Sequence, residues 1–88
     1  MPLWVRTLLV TALPDDAAPL VDAHRAHVED LRAEGRLRAA GAFRGGDGFL
    51  DIFRAEDLLE AETVARRSPL ITEGVAAWSL REWEEFGG

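Results

Sequence analysis

Apolar residues alternate along the first stretch of the chain. Leu3, Val5, Thr7 and Leu9 fall on one face of an extended segment running to Leu13, with Trp4, Leu8, Val10 and Ala12 on the other. Two largely apolar faces predict a central strand covered on both sides. Pro14-Asp15-Asp16 is expected to break this strand and to supply acids where a helix N-terminus favours them. From about Asp16 to Glu34 the period lengthens. Leu20, His24, Val28 and Leu31 recur every three or four residues, bordered by Ala17 and His27, which predicts an amphipathic helix with Gly35 as its C-cap. Period two returns in Leu37, Ala39, Gly41 and Phe43, expected on one face of a second strand. Gly45-Gly46-Asp47-Gly48 has the composition of a hairpin loop. Phe49 to Arg54 follows as a third strand, with Leu50 and Ile52 on one face and Phe49, Asp51 and Phe53 on the other. A shorter helix is expected from about Glu56 to Arg67. Leu58, Ala61 and Ala65 form its stripe, Leu59 and Val64 its shoulders, and Pro69 its stop. Gly74 opens a last strand, Val75 to Trp83.

The order β-α-β-β-α-β, with no dividing linker, predicts a single α+β domain over residues 1–88. Its expected form is ferredoxin-like, a four-stranded antiparallel sheet with both helices on one face. The other face of the sheet is then bare. Trp4, Phe49 or Phe53, and Trp78 or Trp83 are expected to divide between the two faces, and an exposed aromatic patch marks a contact. A chain of 88 residues also buries only roughly 60–65% of its unfolded surface. Both arguments predict a homodimer formed through the open sheet face.

Composition narrows the chemistry. The net charge is −6 and the arginines are scattered, which argues against a nucleic-acid partner. All ten positive charges are arginine, so no lysine is available for a Schiff base. The absence of cysteine excludes a disulfide framework, thiol chemistry and a Cys-based zinc site. The apolar runs are far shorter than a membrane span, and Met1-Pro2 leads straight into a strand rather than into a signal peptide. The expectation is a cytoplasmic protein with no membrane partner. The Gly45–Gly48 loop lacks the Lys and Ser/Thr of a phosphate-binding loop and does not open a helix, and no cofactor is expected.

Two segments carry a family signal. His24-Arg25-Ala26-His27-Val28-Glu29-Asp30-Leu31 is followed by Glu34-Gly35-Arg36-Leu37-Arg38-Ala39-Ala40-Gly41-Ala42-Phe43, and Ser68-Pro69-Leu70 by Gly74-Val75. The pattern resembles the YCII-related family. That family has a histidine eleven residues before a glycine, then a strand ending in Ala-Gly-Pro, and later an Asp-Pro-aromatic turn before Gly-Val. His24 takes the place of the family histidine. The resemblance implies a dimeric α-β barrel with a pocket between helices and sheet. It also implies a His–Asp pair as the catalytic element and, in some members, breakdown of chlorinated aromatics. Three positions depart from the pattern: Ser68 stands for the Asp, Ala42 for the Pro, and Val21 for an arginine three residues before the histidine.

His24 is the candidate acid or base, since an imidazole titrates near working pH. Its placement within an apolar stripe also fits a packed histidine bonded to a backbone carbonyl or to Ser68. Ser68 is the candidate partner in place of the family Asp; a neutral hydroxyl bonds an imidazole but does not stabilise imidazolium as a carboxylate does. His27, three residues on, is a weaker substrate-binding candidate. The His-x-x-His spacing suggests a metal pair, but no third ligand is evident and no metal site is expected. Asp51, between phenylalanines, is either a pocket carboxylate or a solvated residue, and the solvated reading takes precedence. The functional expectation is a small-molecule-binding protein of lyase or isomerase type with an incomplete His–Asp dyad. The alternative is a non-catalytic binding or accessory domain on the same fold.

Overall fold

The computed structural model describes residues 1–87. Its elements are β1 (Leu3–Val10), α1 (Pro14–Ala33), β2 (Leu37–Ala42), β3 (Gly48–Arg54), α2 (Leu58–Ala65), α3 (Pro69–Thr72) and β4 (Ala76–Trp83). The strands form one antiparallel sheet in the order β2-β3-β1-β4, with the long α1 and the shorter α2 against one face. This is the α+β, ferredoxin-like architecture of the dimeric α-β barrels. Among the described residues no helix is long and apolar enough to cross a membrane.

Pro14, Asp15 and Asp16 stand after β1 at a helix N-terminus, as expected, and Pro69, expected to stop the second helix, also starts a short one. Pro14 is the first residue of α1, where its missing N–H has no carbonyl to serve, and Asp15 and Asp16 lie in the positive first turn. Pro69 opens the one-turn α3, with Ser68 as its N-cap. At the end of α1, Gly35 adopts φ +76° while its own N–H and that of Arg36 return to the carbonyls of Arg32 and Leu31. In α2, Ala61, Val64 and Ala65 are buried as expected of a packed stripe. Leu58 is 52% exposed, because Asp57 caps the helix there and leaves Leu58 at its solvent end.

Strand register decides what the helices see. Trp4 pairs with Phe53, Arg6 with Asp51 and Leu8 with Phe49, so the helix-facing side of β1 and β3 is stacked as apolar, ionic, apolar. Trp78 of β4 sits opposite Leu8, and Leu80 opposite Arg6, on the same side. The first layer belongs to the main core, built from Trp4, Leu31, Phe53, Ala55, Ala61, Val64 and Ala65. The indole Nε1–H of Trp4 donates to the Ala55 carbonyl at 3.1 Å.

The aromatics therefore do not divide as the alternation suggested. Trp4, Phe49, Phe53 and Trp78 all face the helices, and of the set only Trp83, opposite Leu3, shares the open face. That face is instead aliphatic, with Leu3, Val5, Leu9 and Ile52 beside Trp83. A second departure lies in β2. Leu37 pairs with Phe53 but Ala39 with Ile52, so a β-bulge at Arg38 reverses the side-chain parity. Leu37 packs on the core, Ala39 and Gly41 turn outward, and Ala40 and Ala42 face α1.

The Gly45–Gly48 segment closes the β2–β3 hairpin, with Phe43 N–H bonded to the Gly48 carbonyl. Gly48 is required for space. A Cβ there would lie 2.2 Å from the Leu8 carbonyl oxygen on the neighbouring strand.

Candidate functional site

Three polar side chains meet beneath α1. Arg6 is fully buried in the middle of β1, and its strand partner Asp51 is 2% exposed. The guanidinium grips the carboxylate through both arms: Nε donates to Oδ1 at 2.9 Å and Nη2 donates to Oδ2. The remaining Nη1 donates to the Ala65 carbonyl at the end of α2 (2.8 Å) and to Nε2 of His27 on α1 (3.0 Å). Arg6 thus ties both helices to the sheet. A buried ion pair of this kind survives only with good geometry and further hydrogen bonds, and both are present.

This arrangement fixes the chemistry of His27. An arginine N–H always donates, so Nε2 of His27 accepts and the proton lies on Nδ1. Protonating the second nitrogen would set two donors against each other. Burial, then the Arg6 charge, lower the His27 pKa from 6.5 to about 3. His27 therefore braces Arg6 with its Nε2 and does not offer that nitrogen to a ligand. Asp51, expected to be solvated, is buried because its carboxylate is spent on Arg6. Arg6 went unremarked in the sequence, where it stands between Trp4 and Leu8 on the strand's buried side. The available signal was the pairing of one opposite charge in each of two apolar strands.

His24, one turn earlier on α1, is 2% exposed and meets Ser68: Nδ1 lies 2.7 Å from Oγ. Its ring stacks at a tilt on Phe49, with centroids 5.1 Å apart, and lies 6.0 Å from His27. Burial, followed by the Arg6 charge, lowers its pKa to about 4, against a smaller upward pull from Asp51. His24 is neutral at pH 7.

The hydrogen-bond inventory assigns its tautomer. Ser68 Oγ already accepts the Leu70 N–H at 3.3 Å. Among the described residues the hydroxyl proton has no acceptor except Nδ1 of His24. The hydroxyl therefore donates to Nδ1, and the imidazole proton resides on Nε2. That nitrogen has no protein partner among the described residues and is not sealed from solvent. A carboxylate at position 68 can only accept, which would place the proton on Nδ1 and leave Nε2 as a base. Serine reverses the polarity of that nitrogen.

His24 and Asp51 border a cavity of about 230 Å³ between α1 and the β2–β3 hairpin, walled by Phe49, Val28, Ala40 and Ala42 with Arg25, Glu29 and Arg32 at its mouth. Of the residues singled out from sequence, the fold joins His24 to Ser68 and Asp51 to His27 through Arg6.

Comparison with known proteins bears on the fold and the family. In fold, the chain is similar to the 5-chloro-2-hydroxyhydroquinone dehydrochlorinase TftG of Burkholderia phenoliruptrix, solved in complex with 2,5-dihydroxybenzoquinone. The TM-score is 0.80 at 19% identity, over 96% of this chain and 95% of that one. It is also similar to Rv0793 of Mycobacterium tuberculosis, with a TM-score of 0.61 at 17% identity over the whole of both chains. In sequence, it is 30% identical over 64 residues to the uncharacterised protein YjpA of Bacillus subtilis, covering 73% of this chain and 75% of that protein. The model of the YCII-related domain matches residues 7–84. The chain belongs to the YCII-related family.

Proposed function

We propose that the chain binds a small organic molecule through an oxygen atom placed on the Nε2–H of His24, and that its chemistry is of lyase or isomerase type, attenuated by Ser68. The observation that carries this reading is the His24–Ser68 contact at the wall of an open cavity. A neutral imidazole donating from Nε2 polarises a carbonyl or holds an oxyanion, as the neutral histidine of triosephosphate isomerase does. It does not abstract a proton from that nitrogen. The structural likeness to a dehydrochlorinase supports elimination chemistry as the parent activity. The hydroxyl in place of a carboxylate favours a second reading, a non-catalytic binding domain.

The test uses 2,5-dihydroxybenzoquinone and 5-chloro-2-hydroxyhydroquinone. The quinone is expected to shift the His24 ring resonances in NMR spectra, and His24→Ala to abolish its binding. Ser68→Asp is expected to increase chloride release from the chlorinated hydroquinone. Binding of the quinone unchanged in His24→Ala overturns the assignment of the site. Chloride release by the wild type as fast as by Ser68→Asp overturns the role given to Ser68.

Homodimerisation through the open sheet face belongs to the same proposal. It is supported by the aliphatic strip of Leu3, Val5, Leu9 and Ile52 beside Trp83, with Leu9 47% and Trp83 39% exposed. Ile52→Asp is expected to convert a sedimenting dimer to the 9.7 kDa monomer. A wild-type protein that sediments only as monomer at micromolar concentration contradicts it.

A further inference from the structure

The cavity beside His24 has a neighbour. A second, larger cavity of about 450 Å³ lies toward the N-terminal half of α1, and the two adjoin, sharing Arg25, Ala42 and Phe49 in their linings. The added space is bounded by Val10, Ala12, Pro14, Ala17, Ala18 and Val21, an apolar lining. The smaller cavity alone falls below the roughly 300–1,000 Å³ of sites that enclose a drug-sized ligand, and the combined space falls inside that range.

Charge is arranged to match an amphipathic occupant. Arg25 lines both cavities and has its guanidinium carbon 5.9 Å from the Phe49 ring centre. Among the described residues it forms no salt bridge. The His24 ring packs on the same Phe49, with centroids 5.1 Å apart. Two donors, one of them cationic, thus flank the phenylalanine that lines both cavities. The larger cavity is also lined by Asp22 and Asp47, neither in a salt bridge among the described residues, and these repel any second negative charge.

The geometry points to an elongated monocarboxylate as the ligand class. Its carboxylate lies between Arg25 and His24, and its apolar chain lies in the larger cavity against Val21 and Ala17. This rests on the His24 site proposed above and adds to it the size, the single charge and the direction of the ligand.

Titration calorimetry with hexanoate, octanoate, octanedioate and 1-octanol tests it. Octanoate is expected to bind about tenfold more tightly than hexanoate, since each buried methylene contributes about 0.8 kcal/mol. Octanedioate should bind at least tenfold more weakly than octanoate. Arg25→Gln should weaken octanoate about tenfold and leave 1-octanol unchanged. Val21→Trp, or Ala18→Trp on the exposed rim should the first variant fold poorly, should erase the chain-length dependence while leaving 2,5-dihydroxybenzoquinone bound. Equal affinity for hexanoate and octanoate, with the quinone still sensed by His24, would overturn the extended ligand and leave the His24 site standing. Loss of every ligand response at His24 would remove both.

Discussion

Two neutral histidines buried beside an arginine make the fold sensitive to acid well above the range in which most carboxylates titrate. In the folded protein the His24 and His27 pKa values are lowered to about 4 and about 3; in the unfolded chain both return to 6.5. The unfolded state therefore binds more protons than the native state between those limits, and stability falls as pH falls. From pH 7.5 to 5 each histidine contributes a change of nearly 1.4 pH units at about 1.4 kcal/mol per unit, or about 4 kcal/mol for the pair. That is a large share of the roughly 5–15 kcal/mol by which domains are stable. Urea unfolding followed by tryptophan fluorescence at pH 7.5, 6.5, 5.5 and 5.0, at one protein concentration throughout, measures the slope directly. His27→Gln keeps an acceptor for Arg6 without a titrating group and should halve the slope; adding His24→Asn should nearly abolish it. A wild-type loss below about 1 kcal/mol over this interval, or a slope indifferent to both substitutions, would refute the placement of the two rings as buried and neutral.

Removing the arginine tests the other half of the same cluster: Arg6→Met strands the Asp51 carboxylate and should cost about 3–5 kcal/mol in urea melts, whereas Arg6→Met with Asp51→Leu should recover most of that loss. Gly48→Ala should cost about 1–3 kcal/mol in the same assay, because its methyl group meets the Leu8 carbonyl and the β1–β3 ladder must part to admit it. In ¹⁵N NMR, Ser68→Asp should move the His24 proton from Nε2 to Nδ1 and raise the ring's pKa, since a carboxylate favours imidazolium. An unchanged tautomer would show that the hydroxyl proton finds another acceptor.

Element order and the buried histidine of the long helix were legible in the sequence because they rest on local period. A helix that repeats every three or four residues declares its buried face in Leu20, His24, Val28 and Leu31. The meeting of His24 with Ser68 followed from the family pattern rather than from period, since 44 residues separate them. What escaped depends on register between strands. Whether Asp51 is solvated or buried is decided by what lies opposite, and only the β1–β3 pairing places Arg6 there. The parity of β2 was misread for a similar reason: one bulge at Arg38 reverses every position after it, and no residue type announces it. Pro69 is expected as a stop yet also begins α3, because proline ends and begins helices alike.

The Arg6–Asp51 pair also constrains descent. Loss of either charge alone passes through a state weakened by about 3–5 kcal/mol, whereas loss of both is nearly neutral. In a domain with so thin a margin, that intermediate is selected against, so the two positions change together or not at all. Relatives are therefore expected to divide into lineages that carry both charges and lineages that carry neither. His27 is expected to accompany the first group, because its Nε2 accepts a hydrogen bond from Arg6 and loses that partner once the arginine is gone. Coupled change at positions 6, 27 and 51 is the pattern this cluster predicts.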